Sequence, residues 1–313
     1  MKQGIARVQQ MPENKCDIAF VTVNYNTCTL LQTMIDFFRA TSLPFSHKLV
    51  VVDNNSDDGS QEFLTTQADI LYIQAGENLG YGKAINRGIK SVESRYICVL
   101  NTDVVLNREA LVRLREFMEQ NPDAGVVTPR ITNRDGSTQG FIFCKRTLAI
   151  VFNILNRIHT SWIKMKLART SKQMRVDGVL GAFFLIRRSL APDGTLFDED
   201  FFFYFEDTDL AHRLFESGVE CYVLPQVSII HLGGSSTSIE AARIFFKSKK
   251  IYLTKHYGSV FARAIIALDR WRLRMKFIKY SFLHLFSSSG KIAGKKEYYA
   301  SMQHALVFEE RKL

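Results

Sequence analysis

The chain has 313 residues, with 41 Lys and Arg against 31 Asp and Glu, a formal charge of +10. With 46% hydrophobic and 23% charged residues it can bury a full core, which excludes wholesale disorder. Its 6 Pro and 18 Gly exclude a collagen-like or Pro-rich linker protein. The charge is uneven: Glu240 to Leu313 holds 16 basic and 5 acidic residues, net +11, whereas Met1 to Ile239 holds 25 and 26, net −1.

In chain order, Ile18 to Val23 is an apolar, β-branched run that predicts a buried strand, and Asn24-Tyr25-Asn26 ends it in a polar loop. Leu30 to Ala40 has helical spacing. Lys48 to Val52 predicts a second strand, ending in Asp53-Asn-Asn-Ser-Asp-Asp-Gly59. A helix over 61–67, a strand over 70–74, a glycine turn at 78–82 and a helix over 83–91 follow. Tyr96 to Leu100 predicts a fourth strand ending in Asn101-Thr102-Asp103, and Glu109 to Gln120 a helix closed by Asn121-Pro122. This alternation predicts an α/β domain with a largely parallel sheet, whose ligands sit at the carboxyl ends of the strands. Further on, 145–175 is basic and amphipathic. Val179 to Ile186 is apolar, Phe201 to Phe205 is aromatic, and Glu206-Asp207-Thr208-Asp209 opens a helix to Glu216. Residues 221–224 and 227–230 read as two strand-like pieces, with His231 directly after.

Five cysteines (Cys16, Cys28, Cys98, Cys144 and Cys221) are scattered without metal-ligand spacing, so reduced thiols are expected. The N-terminal residues lack the apolar core of a signal peptide, and no run approaches the roughly 18 apolar residues of a membrane span. A cytoplasmic protein, soluble or peripheral on a membrane, is expected.

Several polar groups could carry chemistry. Asp53 at a strand end suits a base or ribose, and equally a turn or helix cap. Asp103 suits a hard divalent cation beside a diphosphate, or a cap for the helix at Glu109. Glu206 and Asp207, next to aromatic rings, suit a general base with a raised pKa, and also a helix N-terminus. Asp209 and Arg213 are spaced for an i,i+4 ion pair. His231 is a metal ligand or a structural histidine. The Gly80/Gly82 turn is not Gly-x-Gly-x-x-Gly after the first strand, which disfavours a dehydrogenase, and no Gly-x-x-x-x-Gly-Lys-Ser/Thr segment supports a P-loop kinase.

In this order, Val21-Thr-Val-Asn-Tyr-Asn26, Val51 to Gly59, Asn78-Leu-Gly-Tyr-Gly-Lys83 to Gly88, Leu100-Asn-Thr-Asp-Val104, Gly181-Ala-Phe-Phe184, Phe205-Glu-Asp-Thr-Asp-Leu210 and His231 resemble the family 2 nucleotide-sugar glycosyltransferases of GT-A fold. The nearest likeness is to rhamnosyltransferase-like members that build O-antigen and other surface polysaccharides, over about residues 17 to 260. The resemblance implies a Rossmann-like, mostly parallel sheet flanked by helices. It implies a catalytic domain over 1–239, with a nucleotide half (about 17–128) and an acceptor half (about 129–239), and a basic helical extension over 240–313. It implies donor contacts from Asn24, Asn26, Asp53, Gly80, Lys83 and Thr102. It implies Mg²⁺ or Mn²⁺ at Asp103 and His231, with Asn101 at the first position of the Asp-x-Asp motif. Asp207 would be the base of an inverting transfer and Glu206 would orient the acceptor or the base. The donor would be a nucleoside-diphosphate sugar, dTDP-rhamnose in the nearest branch, and the acceptor a lipid-linked or polysaccharide glycan. The alternative is a non-catalytic nucleotide-sugar-binding or membrane-adaptor protein that keeps the fold.

Residues 243–280 mix cations with Phe245, Phe246, Tyr252, Phe261, Ile265, Ile266, Trp271, Phe277 and Tyr280. This pattern predicts an interfacial amphipathic helix on an anionic membrane, against a helical face packed on the catalytic domain. No nucleic-acid-binding motif accompanies the charge.

Overall fold

Strand β1 (Lys15–Asn24) is buried along almost its whole length, as expected of a strand covered on both faces. It pairs in parallel with β2 (His47–Asp53) on one side and β4 (Glu93–Leu100) on the other, and β3 (Leu71–Gln74) extends the sheet beyond β2. The computed structural model describes residues 15–140, 165, 167, 170–233, 238–286 and 289–311. The predicted basic stretch at 145–175 lies mostly outside these residues, as do Cys144 and the loop of Gly234, Ser235 and Ser236.

Beyond β4 the nine-stranded sheet is mixed. The order is β3-β2-β1-β4-β8-β6-β9-β5, with β6 (Ala124–Thr132), β8 (Phe183–Arg187), β9 (Glu220–His231) and the two-residue β5 (Val104–Val105), while β7 (Met174–Val176) also pairs with β9. β8 runs antiparallel to β4 and β6, and β6 and β9 are parallel. The parallel, doubly wound part is therefore the first half of the chain, and its strand order turns around at β1, where open α/β sheets form a ligand crevice.

Alternation along the strands sends residues to two cores. On one face, Phe20, Leu49, Val51, Tyr96, Cys98 and Leu100 meet helices α1 (Cys28–Ala40) and α4 (Arg108–Gln120). On the other, Val21, Val50, Ile97 and Val99 meet α3 (Tyr81–Lys90) and α5 (Glu206–Glu216). Helix α1 buries Leu31, Met34, Ile35 and Phe38, an i, i+3, i+4, i+7 stripe. Asn107 caps α4, its side chain accepting from the Glu109 and Ala110 amides, so Asp103 is not that cap. The short α2 (Ser60–Thr65) closes the loop after β2.

The basic segment is helical: α6 (Ile239–Tyr257), α7 (Ser259–Leu285) and α8 (Gly290–Arg311). Its apolar groups divide. Phe246, Tyr252, Ile265 and Ile266 are buried, and Phe201, ahead of the basic segment, packs with Tyr252 and Ile265. Further along α7, Trp271, Ile278, Phe282 and Leu285 are exposed. No helix among the described residues is long and apolar enough to cross a membrane.

Candidate active site

The ends of β1, β2 and β4 form one polar floor. The fully buried Asn24 donates from Nδ2 to Asp53 Oδ1 (2.7 Å) and to Ser56 Oγ (2.9 Å), and its Oδ1 accepts from Thr27. The buried Asp53 carboxylate also takes the Ser56 hydroxyl (2.6 Å) and amide (2.9 Å). Thr27 in turn bonds Thr102 at 2.9 Å. The loop after β2 is thus shaped by the Asp53 carboxylate, the turn-forming alternative for this residue. Asn26 projects from the same loop at φ 54°, is exposed, and holds the Asp57 amide.

Gly80, at φ 80°, precedes α3. A Cβ there would collide with the Phe202 carbonyl, which accepts the Tyr81 amide (2.8 Å). The glycine turn therefore brings the Phe201–Phe205 segment onto the start of α3. Lys83 stands exposed on the first turn of α3.

Two further groups meet across a cavity of about 420 Å³ lined by Tyr81, Asn101, Gln139, Gly181, Glu206, Asp207 and His231 among others. The first is built by the β5–β9 pair, which sets Val104 opposite His231. His231 Nε2 lies 3.2 Å from Asp103 Oδ1 and 3.5 Å from Asn101 Nδ2. Burial raises the Asp103 pKa, but the hydrogen bond and charge of His231 outweigh it and hold the carboxyl below its ordinary value. The Gln139 amide donates to the carbonyl of His231 and to Asn133, which leaves its Oε1 to accept from His231 Nδ1 at 2.8 Å. That fixes a proton on Nδ1 and turns Nε2 toward Asp103 and Asn101, so that Nε2 is the nitrogen a cation would take in place of a proton. Asn101 Oδ1 is buried without a partner. An orphaned carbonyl oxygen, an imidazole nitrogen held by a partner behind it and a carboxylate fit a divalent cation.

The second group opens α5. Tyr204 and Phe205 both have positive φ, 65° and 68°, strained for residues with side chains. They turn the chain so that Glu206 and Asp207 enter the cavity. Gly181 donates its amide to Asp207 Oδ2 (3.0 Å), and Tyr81 donates its hydroxyl to the Gly181 carbonyl (2.9 Å). Burial, followed by the Asp207 charge, pushes Glu206 up to about 8, and its Oε2 has no partner. Burial also raises Asp207, while the Gly181 amide opposes the rise.

The structure thus gathers Asn24, Asn26, Asp53 and Thr102 on the floor, Asn101, Asp103 and His231 beside it, and Glu206 and Asp207 on α5. Tyr81 and Gln139 join the site from outside the sequence candidates. Tyr81 lies within the glycine motif at 78–82, whereas Gln139 carries no local signal. A larger groove of about 930 Å³ runs along α6 and contains none of these residues.

Residues 19–194 match glycosyl transferase family 2. The chain is 26% identical over 272 residues to the N-acetylglucosaminyl-diphospho-decaprenol L-rhamnosyltransferase of Mycobacterium tuberculosis, covering 80% of this chain and 86% of that protein. It is 24% identical over 254 residues to the low-salt glycan biosynthesis hexosyltransferase Agl10 of Haloferax volcanii, covering 73% and 76%. In fold it is similar to the Pyrobaculum calidifontis mannosyltransferase PcManGT, solved with GDP-Man and Mn²⁺, at TM-score 0.55 and 14% identity, over 95% of this chain and 88% of that one. The family match covers more than half of the 313 residues, on a sheet and helices of GT-A type: the chain belongs to glycosyl transferase family 2.

Proposed function

We propose that this glycosyltransferase inverts the anomeric centre of a nucleoside-diphosphate sugar as it transfers the sugar to a lipid-linked or polysaccharide acceptor. The observation that carries the reading is the placement of a buried carboxylate pair, Glu206 and Asp207, in the same cavity as Asn101 and His231. Asp207 is the base. Its Oδ2 is held by Gly181, and it takes the proton of the acceptor hydroxyl as that oxygen attacks. Glu206, raised to about 8, carries its proton at neutral pH and so does not compete for the role; it donates to Asp207 or the acceptor. Asn101, Asp103 and His231 would hold Mg²⁺ or Mn²⁺, which when bound neutralises the departing diphosphate. The nucleoside lies over the floor of Asn24, Asn26, Asp53 and Thr102. Asp53 acts there through the loop it shapes, Gly80 sets the bend, and the exposed Lys83 meets the diphosphate.

The donor and acceptor assignments follow the mycobacterial relative, whose name describes an L-rhamnosyl transfer to a lipid-linked sugar diphosphate. On that basis the sugar is rhamnose; dTDP as its carrier and a surface glycan as the product come from the resemblance to the rhamnosyltransferase-like branch. Residues 1–239 form the catalytic unit, and 240–313 dock it on the anionic inner face of the cytoplasmic membrane.

Asp207→Asn is expected to lower transfer by about 10²–10⁴ while donor affinity, measured by calorimetry, is kept. Turnover near the parent rate in that variant overturns the assignment. Chelation is expected to stop transfer, and Asp103→Asn to raise the Mn²⁺ concentration needed for half-maximal rate. A rate indifferent to both would remove the cation from the mechanism.

A further inference from the structure

His212 on α5 and His256 on α6 stack with ring centroids 3.9 Å apart and planes at 25°. Both side chains are buried, at 9% and 8% exposure, where the basic segment meets the catalytic part. Glu216, one turn after His212, reaches His212 Nε2 with its Oε1 at 3.1 Å. The ligand atoms that His212, Glu216 and His256 offer all lie within 4.8 Å of one another. None of the three takes part in the transfer chemistry above.

Their surroundings orient both imidazoles. His256 Nε2 lies 2.8 Å from Asp209 Oδ1. Asp209 is wholly buried but also holds Lys255 (2.7 Å) and Arg213 (2.8 Å). With two cationic side chains on it, the carboxylate is the acceptor of the contact with His256. That acceptor keeps an imidazole proton on Nε2 and leaves His256 Nδ1 as the nitrogen to offer a cation. His212 Nδ1 lies 3.0 Å from the Tyr252 hydroxyl, a group that accepts as readily as it donates. Without a cation Nε2 donates to the Glu216 carboxylate, which can only accept; a cation between the two would take the place of that proton, with Nδ1–H then donating to Tyr252. Each imidazole thus has a hydrogen-bonding partner behind it, the carboxylate–histidine pattern that orients metal ligands.

We propose that His212, Glu216 and His256 form a binding site for a divalent cation of the zinc class, which fastens α6 to α5. Two imidazoles and one carboxylate, with a water completing the shell, suit zinc better than magnesium or manganese. The site is separate from Asp103 and His231, and its role is structural. It ties the helix that begins with Glu206 and Asp207 to the first helix of the basic segment.

The test uses the full chain, stripped with a chelator, in an Asp103→Asn/His231→Asn background that disables the other cation site. Zinc is titrated by calorimetry and cobalt by its visible absorption. The expected result is one equivalent of either metal and a melting temperature that rises with zinc. Tyr252→Phe, which removes a partner behind the ligands, is expected to weaken binding about 10- to 100-fold. Glu216→Gln and His212→Gln should weaken it further. Glu216 is 64% exposed, so its variant keeps the fold even if His212→Gln does not. Absence of binding in the background chain, or an affinity unchanged by Glu216→Gln, overturns the proposal. The glycosyl-transfer reading is unaffected by either outcome.

Discussion

Glu206 and Asp207 are sequence neighbours, yet hydrogen bonding separates them. Asp207 has an amide to stabilise its charge, whereas Glu206 Oε2 has nothing. Because the folded state holds the Glu206 proton more tightly than the ordinary value of 4.5, the protein loses stability as pH rises. The contribution is full below about 4.5, declines through the interval up to about 8, and stays lost above it. Glu206→Gln keeps a neutral group at every pH. Its melting temperature is therefore expected to exceed that of the parent by several degrees at pH 9 and to match it near pH 4, read by thermal denaturation. A constant difference across pH would show that ionisation of Glu206 costs the fold nothing. The residue chemistry was legible where a motif is local. Glu206-Asp207 follows an aromatic run, and Asn101-Thr102-Asp103 ends a strand. It was not legible where partners come from afar, as with Gln139 behind His231 or His256 against His212. Asp53 shows the intermediate case, since its position was readable but its commitment to Asn24 and Ser56 needed two strand ends side by side.

At the scale of elements, β1, β2, β4 and their helices stand out because buried parallel strands are continuous apolar runs. Strand β9 does not, because Pro225 interrupts it. The register against β6 shifts there, with Pro129 opposite Leu224 but Arg130 opposite Ser228, so the sequence suggests two pieces where one strand carries the chain to His231. The two-residue β5 is too short for any periodicity, yet it fixes the distance between Asp103 and His231. Helix α3 approaches the sheet through Gly88, where a Cβ would lie 2.6 Å from Val21 Cγ1 and 3.1 Å from Val52 Cγ2. Gly88→Ala is expected to cost about 1–3 kcal/mol by overpacking, less the small gain in helix propensity. Denaturant unfolding measures it. An unchanged or raised midpoint would mean that α3 shifts freely on the strands.

For the molecule as a whole, the +10 charge divides into a near-neutral stretch over 1–239 and a basic helical segment whose apolar groups fall into two sets. Up to Ile266, Phe246, Tyr252, Leu253, Ile265 and Ile266 pack inward while Val260 stays exposed, a division that the mixed pattern of cations and aromatics does not separate from membrane contact. Beyond that point Trp271, Met275, Ile278, Phe282 and Leu285 follow a 4-3-4-3 spacing on α7 and are exposed. With Arg274 and Lys279 nearby, this stripe is the surface we propose for an anionic bilayer, where each cation would contribute about 1 kcal/mol. The protein is expected to sediment with anionic vesicles at low salt and to be released at high salt. Phe282→Ser should weaken that association without altering donor affinity. Sedimentation with neutral vesicles alone, or none at all, would assign the stripe elsewhere.

One residue, Gly258, at φ 83°, is both the last cap of α6 and the first of α7. Helix α7 has 27 residues and is therefore about 40 Å long. The direction in which it leaves that glycine decides where its exposed far end lies, since 10° at one end corresponds to about 7 Å at the other. Helix α8 packs on both α6 and α7 and so braces that angle, while at φ 83° a residue with a β-carbon would strain the joint from which it starts.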